Sequence, residues 1–279
     1  MKYYPQALLF TGVLLFSIIM SAPKPPAAHD ILINQPIAES SVALDPGDAP
    51  TNEAPLAAPP KITTPLPALK TNSALAKAAQ GNQVLYELNP EHYWPLASLT
   101  KLMTAVVARE NIPDTESNVS RIKRMMIVSD NDAADELAGE IGLTAFVDRM
   151  NEKAATLGMT STSFSDPSGL SYLNQSTVHD LDTLVTYILK RHPEVFQWSR
   201  EKLLVIDGQT YTNINKFVNR SDFLGGKTGF TDEANGNLIS LFATKSGPLI
   251  IIMLGAPNKT ERFAQTETLL KWLSQRFKL

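Results

Sequence analysis

Two polar residues, Ser98 and Lys101, stand one helical turn apart at the start of an apolar run. They open the stretch PLASLTKLMTAVVARE at 95–110. Residues three positions apart on a helix share a face, so the hydroxyl and the amine can hydrogen-bond. The leucine, methionine and valines that follow are apolar enough to bury such a helix, and burial lowers the pKa of a lysine. A neutral Lys101 can then serve as the general base for a nucleophilic Ser98.

The S-x-x-K spacing is not specific by itself, because it occurs three times within residues 67–279. The second pair, Ser120 and Lys123, stands among arginines, where a lysine stays hydrated and charged; we expect that basic cluster to be a solvated helix face or loop. The third pair, Ser199 and Lys202, leads from a polar turn into a strand. Only the pair at Ser98 precedes an apolar helix, and we therefore select it as the catalytic pair.

A second motif, S-D-N at Ser129–Asn131, follows 31 residues after Ser98. Serine and aspartate are good N-cap residues, so the motif is also consistent with a plain helix start. The functional alternative is a second hydroxyl, Ser129, that relays a proton, together with an amide, Asn131, that holds the substrate and Lys101. The motif alone leaves both interpretations open.

A third motif, K-[ST]-G, occurs at Lys227-Thr228-Gly229 and at Lys245-Ser246-Gly247. The second copy precedes a proline between two apolar strands, which is typical of a hairpin turn. The first copy follows two glycines in a strand that ends in Phe230, and glycines there suit the close approach of a ligand. A lysine and a threonine hydroxyl side by side can bind a carboxylate.

Around these motifs the hydrophobic pattern changes from strands to helices and back to strands. The pattern predicts a hairpin around Gln80-Gly81-Asn82, a central group of helices, and then successive antiparallel strands. A last helix from about 259 to 277 has an apolar stripe that we expect to pack on the sheet. Strands at both ends of the domain with helices between them predict one sheet completed by distant segments, in the α+β class. The predicted segments are 73–89, 98–110, 129–141, 144–158, 176–193, 202–213, 222–230 and 238–256.

Composition excludes several kinds of chemistry. The net charge is only −3, which gives no basic face for nucleic acid. Cysteine is absent, which excludes thiol catalysis and disulfides. The four histidines lie far apart in the sequence, so we expect no metal site and no cofactor.

The first 66 residues differ in composition from the rest of the chain. Residues 1–22 hold a lysine and an apolar run from Ala7 to Met20, which predicts a signal peptide or a signal anchor. Residues 23–66 hold ten of the nineteen prolines and no Phe, Tyr or Trp, which predicts an extended, disordered linker. The catalytic domain is then residues 67–279. We expect it to be exported, and to meet a membrane only through the N-terminal segment.

The three motifs in this order resemble the signature of the penicillin-binding proteins and serine β-lactamases. Five blocks narrow the resemblance to the D-alanyl-D-alanine carboxypeptidase family, over roughly residues 67–279. These blocks are PLASLTKLMTA, SDNDAADELA, MNEKAATLGMTSTSFSDPSGL, GGKTGFTDEA and MLGAPNKTERF. The resemblance implies a DD-peptidase/β-lactamase-like fold in which an antiparallel sheet is flanked by helices. It also implies that the substrates are peptidoglycan stem peptides and that β-lactams are covalent inhibitors.

The resemblance assigns a role to each motif residue. Ser98 attacks the carbonyl of the penultimate D-Ala, and Lys101 removes its proton. Ser129 passes a proton to the departing nitrogen, while Asn131 hydrogen-bonds the peptide. The substrate-binding residues of the third motif follow: the terminal carboxylate is fixed by Lys227 and Thr228, the substrate lies along Gly229, and the oxyanion binds the backbone N–H groups of Ser98 and Phe230.

The chain departs from the family pattern in a short segment between the first two motifs, at 111–124. We expect this to give a reduced helical subdomain and a more open cleft, which could admit cross-linked peptides for D,D-endopeptidase cleavage. We also expect no second, C-terminal β domain.

Two other functions remain as alternatives. A class A-like β-lactamase needs a catalytic Glu in an E-x-x-L-N loop; the nearest match, at 140–144, is too close to Ser129, and the later loop SDPSGL has no Glu. The other alternative is an inactive wall-binding module that has kept the motifs.

Overall fold

A five-stranded antiparallel sheet forms the centre of the fold. The computed structural model describes residues 65–277. The strands of this sheet are β1 (Ser73–Ala78), β2 (Gln83–Leu88), β7 (Phe223–Thr231), β8 (Asn235–Thr244) and β9 (Gly247–Ala256). Their order in the sheet is β2-β1-β9-β8-β7, so the first and last strands of the described residues lie side by side. The sequence-based predictions of the α+β class and of a sheet completed by distant segments are confirmed.

Both faces of the sheet are covered, which explains the continuous apolar run of β9. Its odd-numbered residues from 249 to 253 belong to the core beneath the C-terminal helix, and the even-numbered residues from 250 to 254 belong to the core beneath the other helices. Alternate residues of a strand point to opposite faces, so a strand buried on both sides must be apolar throughout.

Seven helices of the described residues pack on these two faces. On one face lies α7 (Glu261–Arg276), whose Phe263, Leu269 and Leu273 are buried against the sheet, as the apolar stripe predicts. The other six helices belong to the opposite layer. They are α1 (Lys101–Asn111), α2 (Glu116–Ile127), α3 (Asn131–Gly139), α4 (Leu143–Thr156), α5 (Val178–Arg191) and α6 (Glu194–Trp198).

The short segment between the first two motifs supplies most of helix α2. The side chain of Thr115 caps it by accepting a hydrogen bond from the backbone N–H of Asn118. The basic cluster of the sequence lies on this helix and forms ion pairs: Arg121 pairs with Glu136 of α3 and with Glu140, the residue that follows α3. The cluster is therefore a helix face tied to its neighbours by ion pairs.

One detail of the predicted sheet is wrong. Strands β5 (Leu203–Ile206) and β6 (Gln209–Thr212) pair with each other in a separate hairpin and do not join the central sheet. A further small sheet joins β3 (Trp94–Pro95) to β4 (Gln175–Ser176). Sequence alternation identifies a strand but does not specify its partner, which long-range packing decides.

The predicted signal segment at 1–22 and most of the predicted linker at 23–66 lie outside the described residues. The boundary at residue 67 therefore stays a prediction. Within residues 65–277, none of the helices has the length and apolar character that crossing a membrane requires.

Candidate active site

Ser98 lies on a 3₁₀ turn, Ala97–Thr100, that leads directly into α1. The preceding residue, Ala97, has a φ of 46°, a conformation that costs energy for a residue with a side chain. Gly169 packs against this turn so closely that a Cβ at that position would lie 1.9 Å from the Ala97 carbonyl oxygen. The packing of Gly169 thus holds the turn in place, while Ser98 itself stays partly exposed.

Lys101 is fully buried and lies next to Ser98. Its Nζ is 3.0 Å from Ser98 Oγ and donates to Asn131 Oδ1 at 2.7 Å and to the Ser168 carbonyl. Burial lowers the pKa of Lys101 to about 8, although the charges of Asp166, Asp135 and Asp130 act in the opposite direction. A lysine of this kind is partly neutral near neutral pH, which a general base requires.

The S-D-N motif both caps a helix and contacts the two buried lysines of the site. Helix α3 is capped by Asp130, whose side chain accepts from the backbone N–H of Ala133. The serine and the asparagine are therefore not the cap. Ser129 has a φ of 63° and accepts a hydrogen bond from Lys227 Nζ at 2.8 Å, while Asn131 contacts Lys101.

The Lys227 side chain reaches the same place from β7. It is 1% exposed, and its Nζ donates to Ser129 Oγ and to the Thr228 carbonyl, both at 2.8 Å. Burial, with smaller contributions from Lys101 and Arg262, holds the pKa of Lys227 well below its ordinary value. Lys101 and Lys227 are thus connected to one another through the S-D-N segment.

Strand β7 is at the edge of the sheet and passes close to the turn that carries Ser98. A Cβ on Gly229 would lie 2.8 Å from the Leu96 carbonyl oxygen and 3.3 Å from the Ser98 backbone nitrogen. A glycine at this position therefore lets the strand pack against the nucleophile's turn. The free edge of an edge strand also exposes backbone groups that can pair with an extended peptide.

A cavity of about 480 Å³ brings the predicted residues together. Its lining includes Ser98, Ser129, Asn131, Thr228 and Phe230. A larger cavity of about 850 Å³ lies between α7 and the β7 and β8 ends that are remote from Ser98, but it contains none of these residues. We therefore identify the smaller cavity, which contains the chemically competent groups, as the candidate site.

The other copies of the motifs lie elsewhere. Lys123 pairs with Glu201 at 2.9 Å on the α2 surface, and Lys202 is exposed. Ser199 is buried, but its hydroxyl bridges backbone groups: it donates to the Phe196 carbonyl at 2.7 Å and accepts from the Gly226 N–H at 2.9 Å. Lys245 lies in the turn between β8 and β9, as the sequence predicts.

Sequence reasoning missed several residues that hold the site in place. Asp166 accepts hydrogen bonds from the backbone N–H groups of residues 168–171, which gives the loop carrying the Ser168 carbonyl its shape. Asn237, on β8, donates to the carbonyls of Pro95 and Leu96 just before Ser98. Asp166 stands in the block MNEKAATLGMTSTSFSDPSGL, and Asn237 follows shortly after the block GGKTGFTDEA. No sequence pattern specifies the distant partners of either residue.

Arg262 is the most consequential of the missed residues. It is 6% exposed, lines the cavity, and donates from Nη1 to the Gly229 carbonyl at 2.7 Å. Its Nε is buried without a hydrogen-bond partner. Burial lowers the pKa of Arg262 to about 10, which still leaves the group charged at neutral pH. The block MLGAPNKTERF contains the residue, but no pattern in the sequence places it near Ser98.

These groups together can perform nucleophilic acyl transfer. The site offers a partly exposed hydroxyl beside a buried amine of lowered pKa, a second hydroxyl bonded to a second lysine, and an arginine at the edge strand. Its ligand is expected to carry an acyl carbon and a negative charge.

Comparisons with known proteins agree with this chemistry. A family model described as D-alanyl-D-alanine carboxypeptidase matches residues 60–121 and 113–258. A D-alanyl-D-alanine endopeptidase of Pseudomonas aeruginosa is 34% identical over 77% of this chain and 81% of its own length. The endopeptidase of Escherichia coli is 31% identical, over 76% and 79%. The ampicillin-bound structure of penicillin-binding protein D2 from Listeria monocytogenes has 29% identity and a TM-score of 0.69, and the match covers 75% of this chain and 99% of that one.

Proposed function

Because this chain belongs to the D-alanyl-D-alanine carboxypeptidase family, we propose that it is a serine D-Ala-D-Ala peptidase that trims peptidoglycan stem peptides through an acyl-enzyme on Ser98. The observation that carries the proposal is the buried Lys101, whose Nζ lies 3.0 Å from the Ser98 hydroxyl. An amine held at this distance can take the hydroxyl proton as the oxygen attacks a carbonyl carbon.

In the acylation step, Ser98 Oγ attacks the carbonyl of the penultimate D-Ala while Lys101 removes its proton. The developing oxyanion is bound by the backbone N–H groups of Ser98 and Phe230. This pair of N–H groups is supported by the closeness of Gly229 to the Ser98 backbone nitrogen. Phe230 directly follows Gly229 on β7, so its N–H belongs to the peptide unit next to the nucleophile. Backbone donors fixed in advance stabilise such an oxyanion at little reorganisation cost.

Departure of the leaving group needs a proton on its nitrogen. We assign this step to Ser129, whose hydroxyl accepts from Lys227 and is thereby oriented towards the cavity. Asn131 holds Lys101 through its side-chain oxygen, and its amide nitrogen is assigned to the peptide. Proton transfer from a positioned hydroxyl lowers the barrier to breaking the C–N bond.

The carboxylate of the leaving residue is bound at β7. Thr228 lines the cavity, and the Nζ of the buried Lys227 donates a hydrogen bond to the Thr228 carbonyl. We add Arg262, because it is a buried cation that lines the same cavity and has an unpartnered Nε. Lys227, Thr228 and Arg262 together are called the carboxylate clamp. A guanidinium and a hydroxyl together suit the planar geometry of a carboxylate.

Water then hydrolyses the acyl-enzyme, and the loop at 165–170 bears on how fast this occurs. Its only carboxylate, Asp166, is committed to hydrogen bonds from backbone N–H groups. These bonds, led by those of Ser171 and Gly169, outweigh burial and hold the pKa of Asp166 below its ordinary value. This carboxylate is therefore not placed as a base for water, which favours a slow-turnover peptidase over a β-lactamase.

The clamp also bears on the choice between free and cross-linked peptides. For the clamp to bind it, a substrate needs a carboxylate on the carbon that bears the leaving nitrogen. A terminal D-Ala has this carboxylate, and so does a cross-link through a diamino dicarboxylic acid. Relatives named as endopeptidases support cleavage of cross-links as well as of terminal D-Ala. We therefore propose both D,D-carboxypeptidase and D,D-endopeptidase activity.

The test uses the full chain with a fluorescent penicillin, a D-Ala-D-Ala pentapeptide and a purified cross-linked dimer. We expect a covalent adduct that persists for minutes, release of D-Ala and cleavage of the dimer. Ser98→Ala should abolish all three, and Ser120→Ala, its matched control, should abolish none. Rapid turnover of the penicillin would indicate a β-lactamase, and absence of any adduct would indicate a wall-binding module.

The location of the protein follows from its substrate. Peptidoglycan lies outside the cytoplasmic membrane, so we propose that the domain acts there after export. Attachment through residues 1–22 stays a prediction. Fractionation that found the intact protein only in the cytosol would contradict export.

A further inference from the structure

The cavity at Ser98 has a charge that the proposed reaction on a free peptide end does not require. Lys216, Lys259 and Arg262 line it, and no aspartate or glutamate of residues 65–277 does. Arg262 is accounted for by the carboxylate clamp. The two lysines are exposed and come from different segments, one at the start of the 3₁₀ turn Lys216–Asn219 and the other just before α7.

Each of these two lysines lies over an aromatic ring of the cavity. Lys216 Nζ is 5.6 Å from the ring centre of Phe263, and Lys259 Nζ is 4.7 Å from that of Phe230. Contact with a ring face attracts a cation and restricts where it points, without neutralising its charge. The ammonium groups are therefore held at the cavity and remain able to bind an anion.

Two lysines outside the cavity also lie over aromatic rings, but each of them forms an ion pair with a glutamate. Lys123 lies over Trp198 and pairs with Glu201, and Lys153 lies over a tyrosine ring and pairs with Glu110. Within the described part of the chain, neither Lys216 nor Lys259 forms an ion pair.

The two kinds of proposed substrate differ in how many negative charges leave with the nitrogen. A free terminal D-Ala carries one carboxylate, which the clamp binds. In a cross-linked dimer the leaving nitrogen belongs to a second stem peptide, which has its own carboxyl terminus beyond the clamp. Two further cations lining the same cavity, one over Phe263 and one over Phe230, match this additional charge.

We propose that Lys216 and Lys259 form a second anion subsite that binds the carboxylate terminus of the second stem peptide in a cross-link. The inference rests on the proposed peptidase function and deepens it, because it makes the pair a determinant of specificity for cross-linked substrates. Each lysine contributes by charge attraction at a solvated position, so the effect of each is moderate and depends on salt.

The experiment compares the full-length wild type with Lys216→Gln, Lys259→Gln and the double variant. Substrates are the pentapeptide, the cross-linked dimer, and the same dimer amidated at the carboxyl terminus of its second peptide. The readout is the ratio of kcat/KM for dimer to kcat/KM for pentapeptide. The rate of acylation by penicillin checks that the Ser98 site is intact, and Lys245→Gln makes the same charge change outside the cavity.

We expect each single variant to lower the ratio about threefold and the double variant about tenfold. Amidation of the dimer should lower the wild-type ratio by a similar factor and leave the double variant nearly unchanged. Raising ionic strength from about 0.05 M to about 0.5 M should reduce the wild-type ratio towards that of the double variant. Lys245→Gln should leave the ratio unchanged.

Three outcomes would overturn the subsite. The first is a ratio unaffected by the double variant, and the second is equal loss on amidated and free dimers. The third is a wild type that releases D-Ala from pentapeptide but leaves dimers intact. This last result would leave the carboxypeptidase proposal standing, whereas a wild type that forms no penicillin adduct would remove both.

Discussion

The same S-x-x-K spacing of serine and lysine produces two different structures in this protein. At 98–101 the lysine is buried and the serine is partly exposed to a cavity. At 199–202 the arrangement is reversed: Ser199 is 1% exposed and bonded to backbone groups, and Lys202 is exposed. The difference between the two pairs therefore lies in which member of the pair the fold buries.

This reversal is the physical basis for assigning acyl transfer to the pair at 98–101 and not to the pair at 199–202. A lysine can accept a proton from serine only in its neutral form, which burial favours and full hydration disfavours. Burial among uncharged acceptors lowers the pKa of Lys101 to about 8. The second pair has a different use, since Ser199 joins the end of α6 to the Gly226 N–H of β7, one residue before Lys227.

The largest effect should come from removing Lys101. Lys101→Met should slow acylation by penicillin about 10²–10⁴-fold, because the general base is lost. Lys202→Met removes an exposed lysine at the same spacing and should leave acylation unchanged. Stopped-flow fluorescence with a labelled penicillin measures both. Equal losses in the two variants would show that spacing rather than burial decides function.

The second comparison uses the two K-[ST]-G copies. Lys227→Ala removes the donor to Ser129 and to the Thr228 carbonyl, so kcat/KM for the pentapeptide should fall about 10²-fold or more. Lys245→Ala, in the exposed β8–β9 turn, should change it little. Steady-state release of D-Ala gives both values, and a comparable loss in Lys245→Ala would mean that the wrong copy was chosen.

The third comparison revises an expectation drawn from sequence. The sequence assigns no role to the Ser199–Lys202 pair, whereas the structure shows that Ser199→Ala would leave the Gly226 N–H without its acceptor. A buried group left unpaired costs about 1–3 kcal/mol of stability. We therefore expect a lower melting temperature and a loss of kcat/KM smaller than that of Lys227→Ala. Ser120→Ala should change neither quantity. If Ser199→Ala kept the wild-type melting temperature and kcat/KM, the Ser199 hydroxyl would have no role in supporting β7.

The smallest expected effect concerns pH. Acylation needs neutral Lys101, so its rate should rise with pH through a midpoint near the lysine pKa of about 8. Asp135 is exposed, and its charge raises the pKa of Lys101, so Asp135→Asn should move this rise to lower pH. Asp132→Asn, on the same helix, makes the same charge change and should move it less. A pH profile of acylation that is identical in all three proteins would contradict the assignment of Lys101 as base.

Much of the candidate site was predictable because its parts are local. Spacing along one helical turn places Ser98 and Lys101 together, and the apolar residues after them indicate burial. The hairpin of β1 and β2, the capped helices and the K-T-G strand likewise depend on neighbours a few residues away. These features agree between the sequence and the structure.

Other features could not be predicted, because their partners are far away in the chain. The separate β5–β6 hairpin, the loop shaped by Asp166 and the position of Arg262 all depend on contacts that exist only after folding. Sequence patterns encode which side of an element is apolar, but they do not encode which other element will cover it.

The sequence by itself determined the class of fold, the family and the three motifs of this protein. The tertiary structure decided what each motif contacts. It placed Asn131 and the Ser168 carbonyl on Lys101, bonded Lys227 to Ser129, and gathered Lys216, Lys259 and Arg262 around one cavity. The physical reason is that closing β1 onto β9 brings together elements from opposite ends of the chain, and the resulting burial and charge pairing have no signature at short range.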